Sequence, residues 1–251
     1  MISKNKLKYL QQLNNKKQRT LKREFLVEGK KLVEEAILNN WVIKEVFATP
    51  DYLSGLTSSF QQTFITTEVT AEDLGRMGNL KSNSTISALV EIPTFATSSI
   101  NWKDTTSLLL DNIKDPGNLG TILRTAAWFG IKNVICSEET VDVYNPKVVQ
   151  SSMGALFNTN VIYQPLVGIV KEAAQIPNFK LFGADLSGEN PNVLQQQQNC
   201  FLILGSESHG ISPELFPYLT NTICIPKAGN SSTESLNVAV ANAILCYELT
   251  R

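Results

Sequence analysis

The stretch Asp115-Pro116-Gly117-Asn118-Leu119-Gly120-Thr121-Ile122-Leu123-Arg124-Thr125-Ala126 follows the short apolar run 107–110 and opens a helix-like pattern. Leu119, Ile122, Leu123 and Ala126 recur at helical spacing and form one buried stripe. A strand, a glycine-containing turn and a helix in that order suggest a ligand at the helix N-terminus of an α/β fold. The glycines are spaced G-x-x-G, so the turn is neither the dinucleotide fingerprint nor a phosphate-binding P-loop. Pro116-Gly117 suits a type II turn and Asn118 suits a helix cap. Arg124 lies off the apolar stripe and close to the strand end, which leaves it free for a surface role or for a ligand.

Downstream, apolar runs at 108–111, 133–136, 159–163, 180–182, 201–204 and 222–225 alternate with helical segments. That alternation predicts a mostly parallel sheet with helices on both faces, and ligands in such sheets sit beyond the carboxyl ends of the strands. Two further loops leave strand ends. In the first, Leu204-Gly205-Ser206-Glu207-Ser208-His209-Gly210 nearly matches the nucleophile elbow of hydrolases. Serine replaces its first glycine, and the chain's single histidine adjoins Ser208 instead of following much later, which argues against a Ser-His-Asp triad. Glu207, directly after a buried strand, is placed either for solvent or for a ligand. The second loop runs from Ile225-Pro226-Lys227 through Gly229 to Ser235-Leu236-Asn237. Ser231 with Glu234 fits a capping box, and the alanine-rich run 238–245 beyond it predicts a helix apolar on all sides.

Upstream, 25–38 reads as an amphipathic helix, 42–48, 62–66 and 85–90 as strands, and 71–77 as a helix. These make a small α/β domain over 25–91. The Pro-, Ser- and Thr-bearing stretch 92–106 reads as a linker to a second domain over 107–251. The net charge of −1 conceals an asymmetry: residues 1–31 hold ten basic side chains against Glu24 and Glu28. Residues 1–24 therefore read either as a solvated helix or as a basic arm for phosphates. The four cysteines are widely spaced with no C-x-x-C pair, which implies neither zinc nor a redox couple and suits a reducing cytoplasm. A charged N-terminus and the lack of a long apolar run exclude a signal peptide and a membrane span.

Taken together, DPGNLGTILRTA, LILGSESHGIS and IP-x-x-G followed by SLNVAVANAI resemble, in order, the three motifs of the SpoU (TrmH) family of RNA ribose 2′-O-methyltransferases, a branch of the SPOUT class. Residues 25–91, with Val27-Glu28-Gly29, are similar to that family's N-terminal substrate-binding domain, which resembles the ribosomal L30e fold. The resemblance implies S-adenosylmethionine as cofactor, no metal, an RNA substrate and a homodimer. Ribosomal RNA suits the L30e-like domain and basic arm, with transfer RNA the alternative. It also implies a trefoil knot, which the residues alone do not suggest, since knots are nearly absent from proteins.

By motif position the resemblance makes Arg124 and Asn118 a catalytic pair, adds Glu207, Ser235 and Asn237 to the polar set, and lines the cofactor site with Leu204, Gly205, Ile225 and Leu236. The segment between Gly229 and Ser235 is longer than the family's usual spacing, and Lys227 stands where methionine is often found. A competing class is a non-catalytic RNA-binding paralogue, against which stands the presence of all five polar motif residues. A nucleotide-linked oxidoreductase lacks its glycine fingerprint here.

Overall fold

The computed structural model of the chain describes residues 2–56, 62–83, 85–94, 105–230 and 232–251. Its helices are α1 (Lys4–Gln12), α2 (Lys16–Lys22), α3 (Lys30–Leu38), α4 (Pro50–Ser54), α5 (Ala71–Met77), α6 (Pro116–Trp128), α7 (Pro146–Ser152), α8 (Leu166–Ala173) and α9 (Val238–Leu249). Its strands are β1 (Glu24–Glu28), β2 (Ile43–Ala48), β3 (Thr66–Glu68), β4 (Ile86–Glu91), β5 (Ser107–Leu110), β6 (Asn133–Cys136), β7 (Asn160–Tyr163), β8 (Lys180–Glu189), β9 (Cys200–Leu204) and β10 (Asn221–Ile223). The chain divides into two compact units, Met1–Thr94 with Tyr144–Phe157, and Phe95–Val143 with Asn158–Arg251. Most of the stretch expected as a linker lies outside the described residues.

The first unit is built on a mixed sheet of order β1-β4-β2-β3, with β4 antiparallel to both β1 and β2. The helix expected over 25–38 is corrected here. Phe25, Leu26 and Val27 are three consecutive buried residues, a pattern one face of a helix cannot produce, and they pair with β4 as strand β1. Gly29, at φ 92, turns the chain into α3. The strand expected at 62–66 is also displaced: β3 begins only at Thr66, where it pairs with Val46. The α5 boundaries agree with expectation, because Thr70 and Asp73 form a reciprocal capping box.

Residues 1–24 fold as two helices on this sheet. Leu7, Leu10 and Leu13 are buried with Leu26, Phe47, Leu74 and Met77 in one cluster. Arg19 is also buried and donates to the carbonyls of Leu13 and Asn14 at 2.8 and 2.9 Å, so it fixes the turn between α1 and α2. Lys4, Lys8, Lys16, Lys17 and Lys22 remain exposed on the outside. The segment thus carries an apolar face and a basic one. The later segment Tyr144–Phe157 completes the same unit: Phe25 packs on Tyr144 with ring centroids 4.9 Å apart, and the Trp41 indole N–H donates to the Phe157 carbonyl at 3.1 Å.

The second unit holds a six-stranded, wholly parallel sheet of order β10-β8-β9-β5-β6-β7. Every residue of β5, β6 and β9 is buried, the signature of a parallel sheet covered on both faces. Leu109, Ile135, Phe201 and Ile203 form its centre with Phe179, whose ring meets Phe201 edge-on at 4.9 Å. Removing one such side chain, as in Leu109→Ala, costs about 2–5 kcal/mol. Beyond the strands the ladder continues: the Asp111 N–H donates to Leu204 and the Ser137 N–H to Leu110, at 2.8 and 2.9 Å. These bonds fix where three loops leave the sheet.

Burial also decides the chemistry of the thiols. Cys136, Cys200 and Cys246 are buried free cysteines, and desolvation pushes their thiols up, to about 11 for Cys200 and about 12 for Cys246. The reactive form is the thiolate, so these three stay inert near neutrality. Titration of the native protein with a thiol-selective dye at neutral pH is expected to label Cys224 alone, with the other three reacting only after denaturation.

Candidate active site

The three motif loops meet at the carboxyl end of the parallel sheet, and the side chain of Asn118 joins them. Asp115 caps α6 by accepting the Asn118 N–H at 2.8 Å, and Pro116 occupies the first helical turn. This corrects two expectations. Pro116-Gly117 is the start of the helix, not a type II turn, because proline without an N–H is suited to that position. Asn118 is not the cap, so its side chain is free to reach outward. Its Nδ2 donates to Glu207 Oε1 at 2.5 Å, and its Oδ1 accepts from Asn237 Nδ2 at 2.9 Å.

Asn237 is fixed in turn by its own helix. Its Oδ1 accepts from the N–H groups of Ala239 and Val240 at 2.9 and 3.3 Å, making it the cap of α9. The capping box expected at Ser231 and Glu234 therefore does not start this helix: residues 232–237 are non-helical, and Ser231 lies outside the described residues. Asparagine two-ended hydrogen bonding explains the choice, since one amide caps α9 and reaches Asn118 at once.

Glu207 belongs to a tight loop closed on itself. Ser206 and Gly210 exchange both backbone hydrogen bonds at 2.9 Å, and the His209 N–H donates to Ser206 Oγ at 3.2 Å. Ser208 and His209 are exposed, and among the described residues no carboxylate bonds to His209 to make a triad. Gly205 is required by close approach: a Cβ there would stand 2.0 Å from the Gly210 carbonyl carbon and 2.1 Å from the Ile211 nitrogen. Asp111, the last residue of the apolar run 108–111, is buried and accepts the Ser212 N–H at 2.7 Å, anchoring the far side of this loop to β5. For Asp115 the signal in the sequence is an aspartate directly before a proline at a helix start, which identifies such a cap.

The remaining expected residues are distributed around this bridge. Ser235 is exposed just before Asn237. Leu236 is 47 % exposed, Ile225 is half-buried and Leu204 is buried at the end of β9. Arg124 is exposed on α6, with no hydrogen bond or ion pair among the described residues. It follows Asn118 by six residues, about 9 Å along the helix axis, and so stands apart from the bridge. A separate cavity of 260 Å³ at the ends of β5 and β6 is lined by Asp111, Glu138, Glu139 and Glu214, with none of the expected site residues. Its four carboxylates make it unsuited to a polyanion.

A family model described as the SpoU rRNA methylase family matches residues 105–247. The chain belongs to this family. A second model, the MRM3-like substrate binding domain, matches residues 4–88. The chain is similar to the 23S rRNA (guanosine(2553)-2′-O)-methyltransferase RlmP of Bacillus subtilis, 32 % identical over 97 % of this chain and 95 % of the relative. Among solved structures it matches an RNA methyltransferase assigned to the TrmH family from Porphyromonas gingivalis, with TM-score 0.88 and 35 % identity over 99 % and 98 % of the two chains. It also matches the SpoU methyltransferase AviRb from Streptomyces viridochromogenes in complex with AdoMet, with TM-score 0.85 and 27 % identity over 99 % and 97 %. The expected architecture, a mixed α/β chain with a parallel-sheet domain behind a substrate-binding domain, is the one these structures share.

Gly205→Ala tests the packing of the SpoU loop. The added methyl meets backbone on two sides, so the loop must shift, at a cost of about 1–3 kcal/mol. The expected result is a lower urea midpoint with an unchanged m-value.

Proposed function

We propose that the protein transfers the methyl group of S-adenosylmethionine to a ribose 2′-hydroxyl of ribosomal RNA. The observation that carries this reading is the Asn118 bridge, which holds Glu207 and Asn237 from the other two motif loops on one amide. The site fits such a cofactor by its donor set. S-adenosylmethionine has no phosphate, and the chain offers apolar Leu204, Ile225 and Leu236 with loop backbone around Gly205, instead of a phosphate-cradling turn. The bound cofactor would supply an electrophilic methyl on a sulfonium.

The chain's own residues must then place an oxygen in line with that methyl, and positioning of this kind can contribute roughly 7–11 kcal/mol. A ribose hydroxyl is a weak nucleophile, so negative charge must be stabilised as it loses its proton. A guanidinium keeps its proton and presents a fixed fork of donors. We therefore assign Arg124 to the developing alkoxide and the adjacent phosphate, with the hydroxyl proton released to solvent as the O–CH₃ bond forms and the methyl–sulfur bond breaks to leave a neutral thioether. Asn118, Glu207 and Asn237 order the three motif loops less than two helical turns from Arg124, with Ser235 at the exposed mouth beside Asn237.

The same reading includes a homodimer. Trp128 on α6 is 84 % exposed, and Val240 and Tyr247 on α9 are 49 and 53 % exposed, while α6 and α9 pack together. Trp128 follows Arg124 by one helical turn, so a second copy seated on this exposed indole would complete the surroundings of the arginine. It also includes the trefoil knot, RNA binding by the domain over 25–91, methyl transfer by that over 107–251, and a cytoplasmic location. The free cysteines support the last of these. No helix among the described residues is long and apolar enough to cross a membrane.

Calorimetry with S-adenosylmethionine in the presence of a chelator is expected to show binding. Arg124→Ala should keep that affinity and lower kcat by at least about 10²-fold, the scale for loss of one charge-stabilising group. Arg124→Lys should restore little, because a point charge does not reproduce the fork. Mapping 2′-O-methylation on total RNA with and without the protein should give a new site in ribosomal RNA; a site in transfer RNA would overturn the substrate assignment.

The exposed lysines of α1 and α2 carry a separate expectation. Replacing Lys4, Lys8, Lys16 and Lys17 by glutamine should flatten the salt dependence of RNA binding, by up to ~0.9 log unit per decade for each lost duplex contact, and leave the modified nucleotide unchanged. Binding measured at several salt concentrations checks it, and equal slopes would remove these lysines from the interface.

A further inference from the structure

The first unit contains a groove of 480 Å³ between the α1–α2 turn, the loop after α5 and the start of α7. We propose that it holds an unpaired nucleotide of the RNA substrate, reading the edge of its base, an inference that rests on the RNA-methyltransferase reading above. Four side-chain amides line it: Asn14, Asn79, Asn145 and Gln150. Each has spent one end. Asn145 Oδ1 accepts the Lys147 N–H at 2.9 Å, which leaves its NH₂ group. Gln150 Nε2 donates to the Glu28 carbonyl at 3.1 Å, which leaves its Oε1.

Asn79 and Asn14 are joined side chain to side chain at 2.7 Å. Whichever way that pair is arranged, one NH₂ and one carbonyl stay unused. The groove therefore offers two donor groups and two acceptors. Donors alone would suit a phosphate, whereas a mixed set suits a nucleobase, whose edges carry both kinds. A donor left on one amide and an acceptor left on its neighbour can together meet such an edge, each side chain contributing the end it has not used.

The walls and rim agree with that ligand. Leu80 and Pro146 supply apolar surface for the flat face of a base or for ribose. Lys147 lines the groove, Lys16 and Lys17 follow Asn14 closely, and Lys81 adjoins Leu80; all four are exposed. Glu28, an acid behind the groove lining, is 3 % exposed, and its carboxylate accepts the N–H groups of Asn79 and Leu80, each at 3.0 Å. Glu28 thus supports the backbone of two lining residues, while Lys147 on the wall and lysines close in sequence to other lining residues supply the positive charge that favours a phosphodiester chain. The volume lies within the roughly 300–1,000 Å³ of small-ligand sites and is too confined for a duplex, whose base edges are already paired.

The test compares a short mixed-sequence single-stranded RNA with a duplex of the same sequence, both by fluorescence anisotropy on the full chain. Asn14→Leu/Asn79→Leu removes one donor group and one acceptor at exposed positions without changing charge. Affinity for the strand should fall about tenfold, the scale of one lost donor and one lost acceptor contact, while affinity for the duplex and the salt slopes stay put. An unchanged strand affinity, or an equal loss for strand and duplex, would overturn the proposal. Should the double variant melt early, Asn14→Leu alone must show the strand-specific loss, and its absence there overturns the proposal equally. Calorimetry with S-adenosylmethionine should be unaffected by either variant. A wild-type chain that fails to bind S-adenosylmethionine would defeat the methyl-transfer reading, while the strand-against-duplex comparison would still decide the groove.

Discussion

One side-chain amide has a single carbonyl and a single NH₂ group, and Asn118 commits one to each of two other loops. The constraint runs backwards through the second unit. For Asn118 to face outward, Asp115 must take over the helix cap, and for Asn237 to be in reach, α9 must start at Val238. For Glu207 to meet the amide, the loop after β9 must fold tightly on Gly205 and be anchored through Asp111. The sheet supplies the common origin, since the buried strands β5 and β9 are adjacent and in register at their carboxyl ends. Rigid strands with short polar loops give more exact placement than loops alone could.

Much of this is legible from residue types. The buried strands announce themselves as short apolar runs, and Asn133–Cys136 falls where such a run predicts it. The polar residues of the three loops follow from their motifs. Illegible were the features set by partners distant in sequence. Phe25 to Val27 directly precede an amphipathic helix in sequence and read as its start, and pairing with Ile86–Glu91 makes them a strand. Ser231 and Glu234 satisfy a local capping rule, yet the helix start is decided by Asn237, whose amide serves a partner more than a hundred residues away. Local propensity is weak where such long-range bonds compete with it.

The basic N-terminal segment shows the same point at the level of charge. Its lysines suggest a detached arm, but Leu7, Leu10 and Leu13 recur on one side and are buried. An amphipathic helix pair needs no choice between packing and phosphate contact, because the two demands fall on opposite faces. Among its cations, Arg19 is turned inward to bind carbonyls, and Lys6 pairs with Glu45. Counting charge in such a segment overstates what is available to a ligand.

The segment Tyr144–Phe157 has a consequence for how the chain acquires its structure during synthesis. The four strands of the first unit are complete once Glu91 has emerged, but Phe25 and Trp41 then still lack Tyr144 and Phe157, and the Glu28 carbonyl lacks Gln150. At about 5–20 residues per second, the ribosome leaves those aromatic surfaces uncovered for several seconds while β5, α6 and β6 are made. The N-terminal unit therefore cannot mature as an independent vectorial product. Its last layer arrives from within the sequence of its neighbour, and the growing chain must hold an unfinished surface in solution until then.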